Sequence, residues 1–242
     1  MNIRHFQIEF ERRLQLMDPE LVLKNKLNSD TIFSFINEAI DKFYKTRYSG
    51  INSKQEGFEQ SQKRIDDLRT LIKTVEYRDD INNSNNEYSI DLPKDYTLML
   101  GDTAGIQPTE DYNDPCWPLD DDGEYVEKTA DTIEATIENI DRQLNNSLSE
   151  HVLKYCSARP LRLIQGNTIK LFTDGKYKVS KYILTYLSSP IFIDSSKITN
   201  DEYTSLPEHT HMEIVKMAVQ LYMATKPVQH YSAYSAEVNN ME

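Results

Sequence analysis

The chain has 242 residues, of which 38% are hydrophobic, enough for a sizeable core in one domain or in a domain with an insertion. Its formal net charge of -12 argues against a protein that coats nucleic acid, because such proteins neutralise phosphates with clustered Lys and Arg. Its apolar runs are far shorter than the roughly 20 residues that cross a bilayer. The opening MNIRHFQIEFERR lacks the apolar region of a secretory signal, so we expect a cytoplasmic origin.

Apolar residues at helical spacing fill the first third of the chain, up to about residue 78. Three helices are predicted there: residues 3–17, a second from Ser29 or Asp30 to about Arg47, and a third over about 54–77. After a polar tract, the alternation in EYSIDLP predicts a short strand closed by Pro93. Residues 101–123 read as a loop, and Ile133, Ile137, Ile140 and Leu144 predict a fourth helix.

A β-hairpin is predicted over about 168–187. With Thr173-Asp174-Gly175 as a three-residue loop and Gly175 left-handed, Leu171 faces Tyr177, whereas a two-residue Asp-Gly turn would place it opposite Lys178. We prefer the longer loop. The apolar phase slips from odd to even positions along the second strand, which predicts a β-bulge near Ser180 or Lys181, and Pro190 ends the pairing.

The last helix begins either at Pro207 or at Thr210, where Glu213 would complete a capping box, and it runs to about Thr225. Apolar residues surround a narrow polar strip on this helix, so it should be buried on most sides. Residues 227–242 show no periodicity and predict a flexible tail, whose deletion should leave the melting temperature almost unchanged.

These elements predict an α+β fold, mainly α-helical, with a small antiparallel sheet that contains the hairpin and a long buried C-terminal helix. We expect one domain over residues 1–226, with a helical part at about 1–78 and a mixed part at about 87–226. The mixed part includes an acidic loop region over residues 102–131.

Residues with metal or redox chemistry are few. Cys116 and Cys156 lie far apart and lack CxxC spacing, so we expect free thiols. His209 and His211 enter a helix, where positions two apart diverge, so a shared metal is not expected. The run from Asp120 to Glu124 fails the EF-hand template, although a weak cation site there stays open.

All of the excess charge belongs to one segment. Residues 102–141 hold thirteen acidic residues and one base, Lys128, and the rest of the chain is neutral with 26 of each sign. Three hypotheses follow: docking on a basic partner with Trp117 and Tyr112 as apolar anchors, an acidic lining of a DNA channel, or a plain solvated loop.

Tyrosines supply further interface candidates, because a tyrosine side chain can pack against a partner and form a hydrogen bond with it. The candidate interface residues are Tyr112, Trp117, Asp120, Asp121, Asp122, Glu124, Tyr182, Tyr186, Tyr231 and Tyr234.

Two stretches carry a family resemblance: RPLRLIQGNTIKLFTDGKYKVSKYILTYLSSP and LPEHTHMEIVKMAVQLYM. Their order resembles the C-terminal half of neck ring proteins, the head-to-tail connector adaptors of tailed phages, particularly the crAss-like group. The helical segments FINEAIDKFYKTRYSG and QKRIDDLRTL also look like that family. The acidic stretch over residues 108–127 departs from its pattern.

The resemblance implies a structural virion protein that forms a homo-oligomeric ring of about twelve subunits between portal and tail. It implies contacts with the portal and other neck or tail rings, genomic DNA only in transit, and no membrane. It also implies no enzyme activity, with no catalytic residue, cofactor or metal, and a location in the virion neck after assembly in the host cytoplasm. The alternatives are a monomeric regulatory or interaction module and, third, an enzyme with an unrecognised site.

Overall fold

The computed structural model describes residues 1–17, 27–49, 58, 61–112, 115–194, 202–225 and 231–239. The chain divides into two compact units, the first made of Met1–Ile72 with Ser189–Glu242 and the second of Lys73–Ser188. The single domain predicted over residues 1–226 spans both units, and the first unit also includes the C-terminal residues.

The helices are α1 (Ile3–Met17), α2 (Ser29–Ser49), α3 (Gln62–Leu68), α4 (Ile140–Leu144), α5 (Glu208–Ala224) and α6 (Tyr231–Asn239). The strands are β1 (Ile72–Tyr77), β2 (Asn82–Ser84), β3 (Glu87–Asp91), β4 (Tyr96–Pro108), β5 (Lys128–Asp131), β6 (Ile133–Glu134), β7 (Leu161–Gln165), β8 (Thr168–Phe172) and β9 (Tyr177–Ser188). A 3-10 turn over Arg69–Leu71 connects α3 to β1.

The first unit is helical, and the helices predicted for α1, α2 and α5 are confirmed. The predicted apolar stripe of α1 is buried, and so is that of α2. Helix α5 is buried on most sides, and its Tyr222 ring meets Phe10 and Phe35 edge-on at centroid distances of 6.0 and 5.4 Å. Its N-cap is Pro207, so the helix begins at the first of the two predicted starts and not at Thr210.

Helix α6 lies in the segment for which the sequence predicts a flexible tail. Tyr234 and Val238 are buried, and the Tyr234 hydroxyl donates a hydrogen bond to the Lys216 carbonyl of α5 at 3.1 Å. The Gln220 side chain donates to Ser235 at 2.8 Å. Packing and hydrogen bonds to α5 therefore order residues that show no strong periodicity of their own.

The second unit contains two sheets. Strands β1, β9, β4 and β5 form one in that order, and β2, β3, β8, β7 and β6 form the other. The pairs with a defined register are antiparallel except for β6 with β7, which are parallel. Both sheets contribute to one core, made of Tyr88, Ile90, Leu92, Ala104, Ile106, Trp117, Leu153, Ala158, Ile169, Leu171, Tyr177, Val179, Tyr182, Leu184 and Tyr186.

The prediction of a mainly helical fold with one small sheet is wrong, because the chain carries two sheets of four and five strands. Of the predicted helix over about 54–77, the structure shows α3 at Gln62–Leu68, after which the chain continues through the 3-10 turn into β1. Residues 54–57, 59 and 60 of that prediction lie outside the described residues. The predicted loop over 101–123 contains much of β4. Of the predicted helix at 133–144, only α4 is helical, because Ile133 pairs with Leu161 in the parallel β6–β7 contact.

The predicted hairpin over 168–187 is also wrong. Strand β8 pairs with β3 and β7, so Leu171 lies opposite Tyr88 and Arg162 and faces neither Tyr177 nor Lys178. Strand β9 pairs with β4 in the other sheet. Gly175 is left-handed, with φ of 83°, as predicted. The segment around it joins β8 of one sheet to β9 of the other.

The predicted bulge is confirmed. Gly105 lies opposite Lys181 and Ile106 lies opposite Val179, so Ser180 has no residue opposite it on β4. Its hydroxyl donates a hydrogen bond to the Gly105 carbonyl at 3.2 Å. The extra residue reverses the face to which later side chains point, and it brings Tyr182 into the same core as Val179.

Candidate interaction surface

The acidic turn, residues 120–124, is a tight and well-bonded loop. Leu119 and Tyr125 form an isolated bridge at its base, and the Asp120 amide donates to the Glu124 carbonyl at 2.9 Å. The Asp120 carboxylate accepts hydrogen bonds from the amides of Asp122 and Glu124 at 3.0 and 2.8 Å. Gly123, with φ of 84°, supplies the left-handed residue. Asp120 thus holds the turn from within.

The acidic side chains of this turn point outward. Asp120, Asp121, Asp122 and Glu124 are all exposed, in agreement with the cost of burying unpaired carboxylates. Leu119 is 57% exposed directly beside them. The turn therefore presents negative charge next to an apolar side chain.

Trp117 fixes this segment to the body of the second unit. Its side chain belongs to the core and is only 4% exposed, and its indole N–H donates to the Val126 carbonyl at 2.8 Å. The Lys128 ammonium lies 4.2 Å from the centre of the Trp117 ring, within cation–π distance. Trp117 is therefore an internal anchor of the loop, and it is not accessible as the docking anchor that the sequence suggests.

A disulfide joins the same segment to a second turn. Cys116 and Cys156 are bonded, with Cα atoms 6.1 Å apart, so the prediction of free thiols is wrong. Their separation of 40 residues gives no local signal of the pairing, because a shared location in the fold brings them together. The Lys128 ammonium also donates to the Cys156 carbonyl at 3.2 Å.

The second turn has Tyr155 and Cys156 at its tip. The amides and carbonyls of Lys154 and Ser157 form two mutual hydrogen bonds of 3.0 Å across it. Tyr155 and Cys156 have φ of 49° and 59°, the left-handed region that tight hairpin turns require and non-glycine residues seldom adopt. Tyr155 is 96% exposed, and no sequence signal singled it out.

The remaining aromatic candidates have structural partners. Tyr112 is half-buried, with the Lys176 ammonium 5.5 Å from its ring centre. Tyr182 and Tyr186 are buried, and their hydroxyls donate to Asp102 and Asp95 at 2.8 and 2.9 Å. Burial, together with the bond to Asp95, raises the pKa of Tyr186 to about 12.

Of the two tyrosines predicted near the C-terminus, Tyr234 is buried against α5. Burial raises its pKa to about 12. Tyr231 begins α6, and its side chain lies outside the described part of the structure.

Not every carboxylate of the acidic segment faces water. The Asp102 side chain is only 7% exposed and pairs with Arg162 at 2.7 Å, and it also accepts hydrogen bonds from Thr132 and Tyr182. Glu127 lies 3.7 Å from Lys181, a base outside the segment. Counting charges along the chain therefore overstates the negative surface, because β9 and β7 supply compensating bases.

The two histidines considered as metal ligands are separated, as helical geometry predicts. His209 contacts Asp67 at 2.9 Å, whereas His211 is buried with its Nε2 2.9 Å from the Leu206 carbonyl. Within the described residues, no three His, Cys, Asp or Glu side chains gather closely enough to hold a metal ion. Likewise, no helix in the described ranges is long and apolar enough to span a membrane.

No protein-family model matches the chain, and no curated protein shows significant similarity to it.

Proposed function

We propose that the protein is a structural component of a tailed-phage neck, forming a ring of identical subunits between portal and tail. The proposal starts from the resemblance carried by residues 159–190 and 206–223. Head-to-tail contacts between identical subunits close as a ring, and about twelve copies would match the connector family. In this role the ring attaches the tail and surrounds the path of the DNA.

The observation that carries the proposal is the rigid presentation of the acidic turn. Trp117, the disulfide and the Asp120 hydrogen bonds hold it in one conformation while its carboxylates stay exposed. A fixed surface loses less conformational entropy on association than a mobile one. A loop that only needed to stay solvated would not require three separate constraints.

Docking explains this surface better than channel lining does. A lining that repels DNA needs charge alone, whereas exposed apolar groups beside the charge offer contact area to a protein. Leu119 lies beside the acidic turn, and the disulfide and Lys128 tie the turn that carries Tyr155 to the same region. The apolar contacts in the proposed interface are therefore Leu119 and Tyr155, and Trp117 and Tyr112 are no longer assigned that role.

Charge complementarity identifies the kind of partner. The first unit has 18 acidic and 15 basic residues, and the second has 21 and 12, so both are net negative. A second copy of the chain offers no oppositely charged unit to the acidic turn. The turn should therefore dock on a basic surface of a different protein, such as the portal or another neck ring.

Mass measurement under native conditions and images of purified particles test the ring. We expect the protein in virions, as a closed ring of about twelve copies at the neck. The isolated protein can remain monomeric if the portal templates assembly, so particles are the decisive sample. Absence from purified virions would refute the proposal, as would a location away from the neck.

Charge-neutral substitutions test the docking role of the acidic turn. Asp120→Asn, Asp121→Asn, Asp122→Asn and Glu124→Gln together should weaken the contact with the neighbouring protein and remove most of its salt dependence. The matched control removes four exposed acids elsewhere: Asp79→Asn, Asp80→Asn, Glu138→Gln and Glu202→Gln. Intact particles with altered genome passage would instead indicate channel lining, and no change in either would indicate a solvated loop.

A further inference from the structure

The two cysteines of the chain connect the segment that precedes the acidic turn to the turn that carries Tyr155. The disulfide joins Cys116, one residue before the anchoring Trp117, to Cys156 at the tip of the other turn. Cys116 is exposed and Cys156 is half-buried, so reagents in solution reach the Cys116 sulfur more readily. The bond is therefore accessible to the redox state of its surroundings.

The turn that holds Cys156 has an unfavourable sequence for its conformation. Its two central residues are both left-handed, a geometry for which Asn-Gly is the preferred pair and Tyr-Cys is a poor one. Residues held in such a conformation persist only when the surroundings impose it. Here the constraints are the hydrogen bonds between Lys154 and Ser157, the bond from Lys128, and the disulfide.

We propose that the Cys116–Cys156 pair is a redox-controlled clamp on this interaction surface. When the pair is oxidised, the Tyr155 turn and the segment leading to the acidic turn are held together. When it is reduced, the turn relaxes, Cys156 leaves Lys128, and Lys128 no longer holds its position over Trp117. Reduction therefore loosens both exposed turns while the two sheets remain folded.

A small-molecule disulfide such as glutathione disulfide is a sufficient oxidant. The thiolate of Cys116 attacks it, forming a mixed disulfide and releasing one glutathione thiolate. The Cys156 thiolate then attacks the Cys116 sulfur, closing the protein disulfide and releasing the second glutathione. Two protein thiols are oxidised, one glutathione disulfide is reduced to two glutathiones, and the two thiol protons end on the released glutathione thiolates.

The clamp has a consequence that rests on the proposed docking role. Cytoplasmic thiols stay reduced, so during assembly Trp117 and the Asp120 hydrogen bonds alone would hold the acidic turn. Exposure to an oxidising environment after release from the cell would then add the disulfide as the third constraint. The clamp itself is a property of the isolated chain, so its test does not depend on ring formation.

The single tryptophan of the chain makes the test direct, because its fluorescence reports the neighbourhood of Cys116 alone. The full-length protein is oxidised with glutathione disulfide and then reduced with dithiothreitol. We expect the oxidised form to lack free thiols and to be lighter by two hydrogen atoms. Reduction should increase acrylamide quenching of Trp117 about threefold, reversibly, with unchanged far-ultraviolet circular dichroism.

Two variants separate the clamp from a general loosening. Cys116→Ser with Cys156→Ser should quench like the reduced protein and ignore dithiothreitol. Cys116→Ser with Tyr155→Asn and Cys156→Gly gives the turn its preferred Asn-Gly pair, so it should quench like the oxidised protein without a disulfide. The clamp is refuted if the wild type keeps two free thiols after oxidation, or if its quenching is the same in both redox states. Reduced-like quenching of the Asn-Gly variant would equally refute the role of the turn.

Discussion

A buried ion-pair network places Glu213 of α5 in the interior of the first unit. Arg47 of α2 donates to Asp67 of α3 at 2.8 Å and also to Glu213 of α5, so one guanidinium joins three helices. Burial raises the pKa of Glu213, and the charge of Arg47 opposes that rise. Removing one partner of such a group leaves an uncompensated buried charge, which is more costly than the net contribution of the pair. The pairing of Arg47 with Glu213 therefore fixes the position of α5 against α2.

His211 gives the first unit a pH dependence. Burial lowers its pKa, and the hydrogen bond to the Leu206 carbonyl opposes the shift only in part. The unfolded chain therefore binds a proton more readily than the folded one. Its contribution to stability is complete above the unfolded pKa of about 6.5 and is lost as the pH falls toward the lower folded value.

We expect the free energy of unfolding to decrease between pH 7 and pH 5, with the lowered pKa of His211 contributing to that decrease. His211→Gln should flatten this part of the curve, although the variant is less stable throughout because the His211 ring packs 5.1 Å from Phe6. His151, whose pKa burial also lowers, would supply a remaining slope. Denaturant unfolding across this pH range measures the difference, and His5→Gln, at an exposed position, is the control. Equal slopes in the wild type and His211→Gln would contradict the assignment.

At the level of single elements, local patterns predict helices with long apolar stripes and the bulge in β9. The stripe of α2 and the phase slip at Ser180 are both visible in sequence because each depends on consecutive residues. Strand β4 is not predicted from the sequence, because Gly101 and Gly105 interrupt the alternation of apolar and polar residues along it. Its pairing with β9 also shifts register three times. The hairpin prediction fails for a different reason: Gly175 is left-handed as predicted, but long-range pairing places β8 and β9 in different sheets.

The interaction surface is likewise predictable from sequence only where its features depend on neighbouring residues. The acidic turn is evident from its residues, and its exposure follows from the cost of burying carboxylates. The disulfide joins residues 40 positions apart, and the hydrogen bond from Lys128 to the Cys156 carbonyl joins residues 28 positions apart. No periodicity encodes such contacts.

Helix α6 changes the expected effect of removing the C-terminal segment. Because Tyr234 and Val238 are buried, deletion of residues 231–242 should lower the free energy of unfolding by about 3 kcal/mol or more. This reverses the expectation from sequence, in which the segment contributes nothing to stability. Thermal and denaturant unfolding of the truncated protein measure the loss.

Point variants give the matched control for this deletion. Tyr234→Ala should account for most of the loss, whereas Tyr234→Phe removes only the hydrogen bond to the Lys216 carbonyl and should cost about 1 kcal/mol. A truncated protein with wild-type stability would show that α6 does not contribute its packing energy in solution.

For the whole molecule, the two units differ in how the chain builds them. The second unit is one continuous segment, Lys73–Ser188, and its first and last strands, β1 and β9, are neighbours in one sheet. The first unit is assembled from both ends of the chain, since α1 and α2 pack against α5. A continuous segment with its own core can fold alone, whereas half of a shared core cannot.

Two fragments should therefore behave differently. A fragment over residues 72–189 should fold cooperatively, with Trp117 as protected from acrylamide as in the full chain, because the core that surrounds it lies within the segment. A fragment over residues 1–72 should remain largely unfolded, because the apolar faces of α1 and α2 lose the buried surface of α5. Circular dichroism and dispersion of amide resonances distinguish the two outcomes. A disordered 72–189 fragment would mean that the second unit depends on residues outside its own segment.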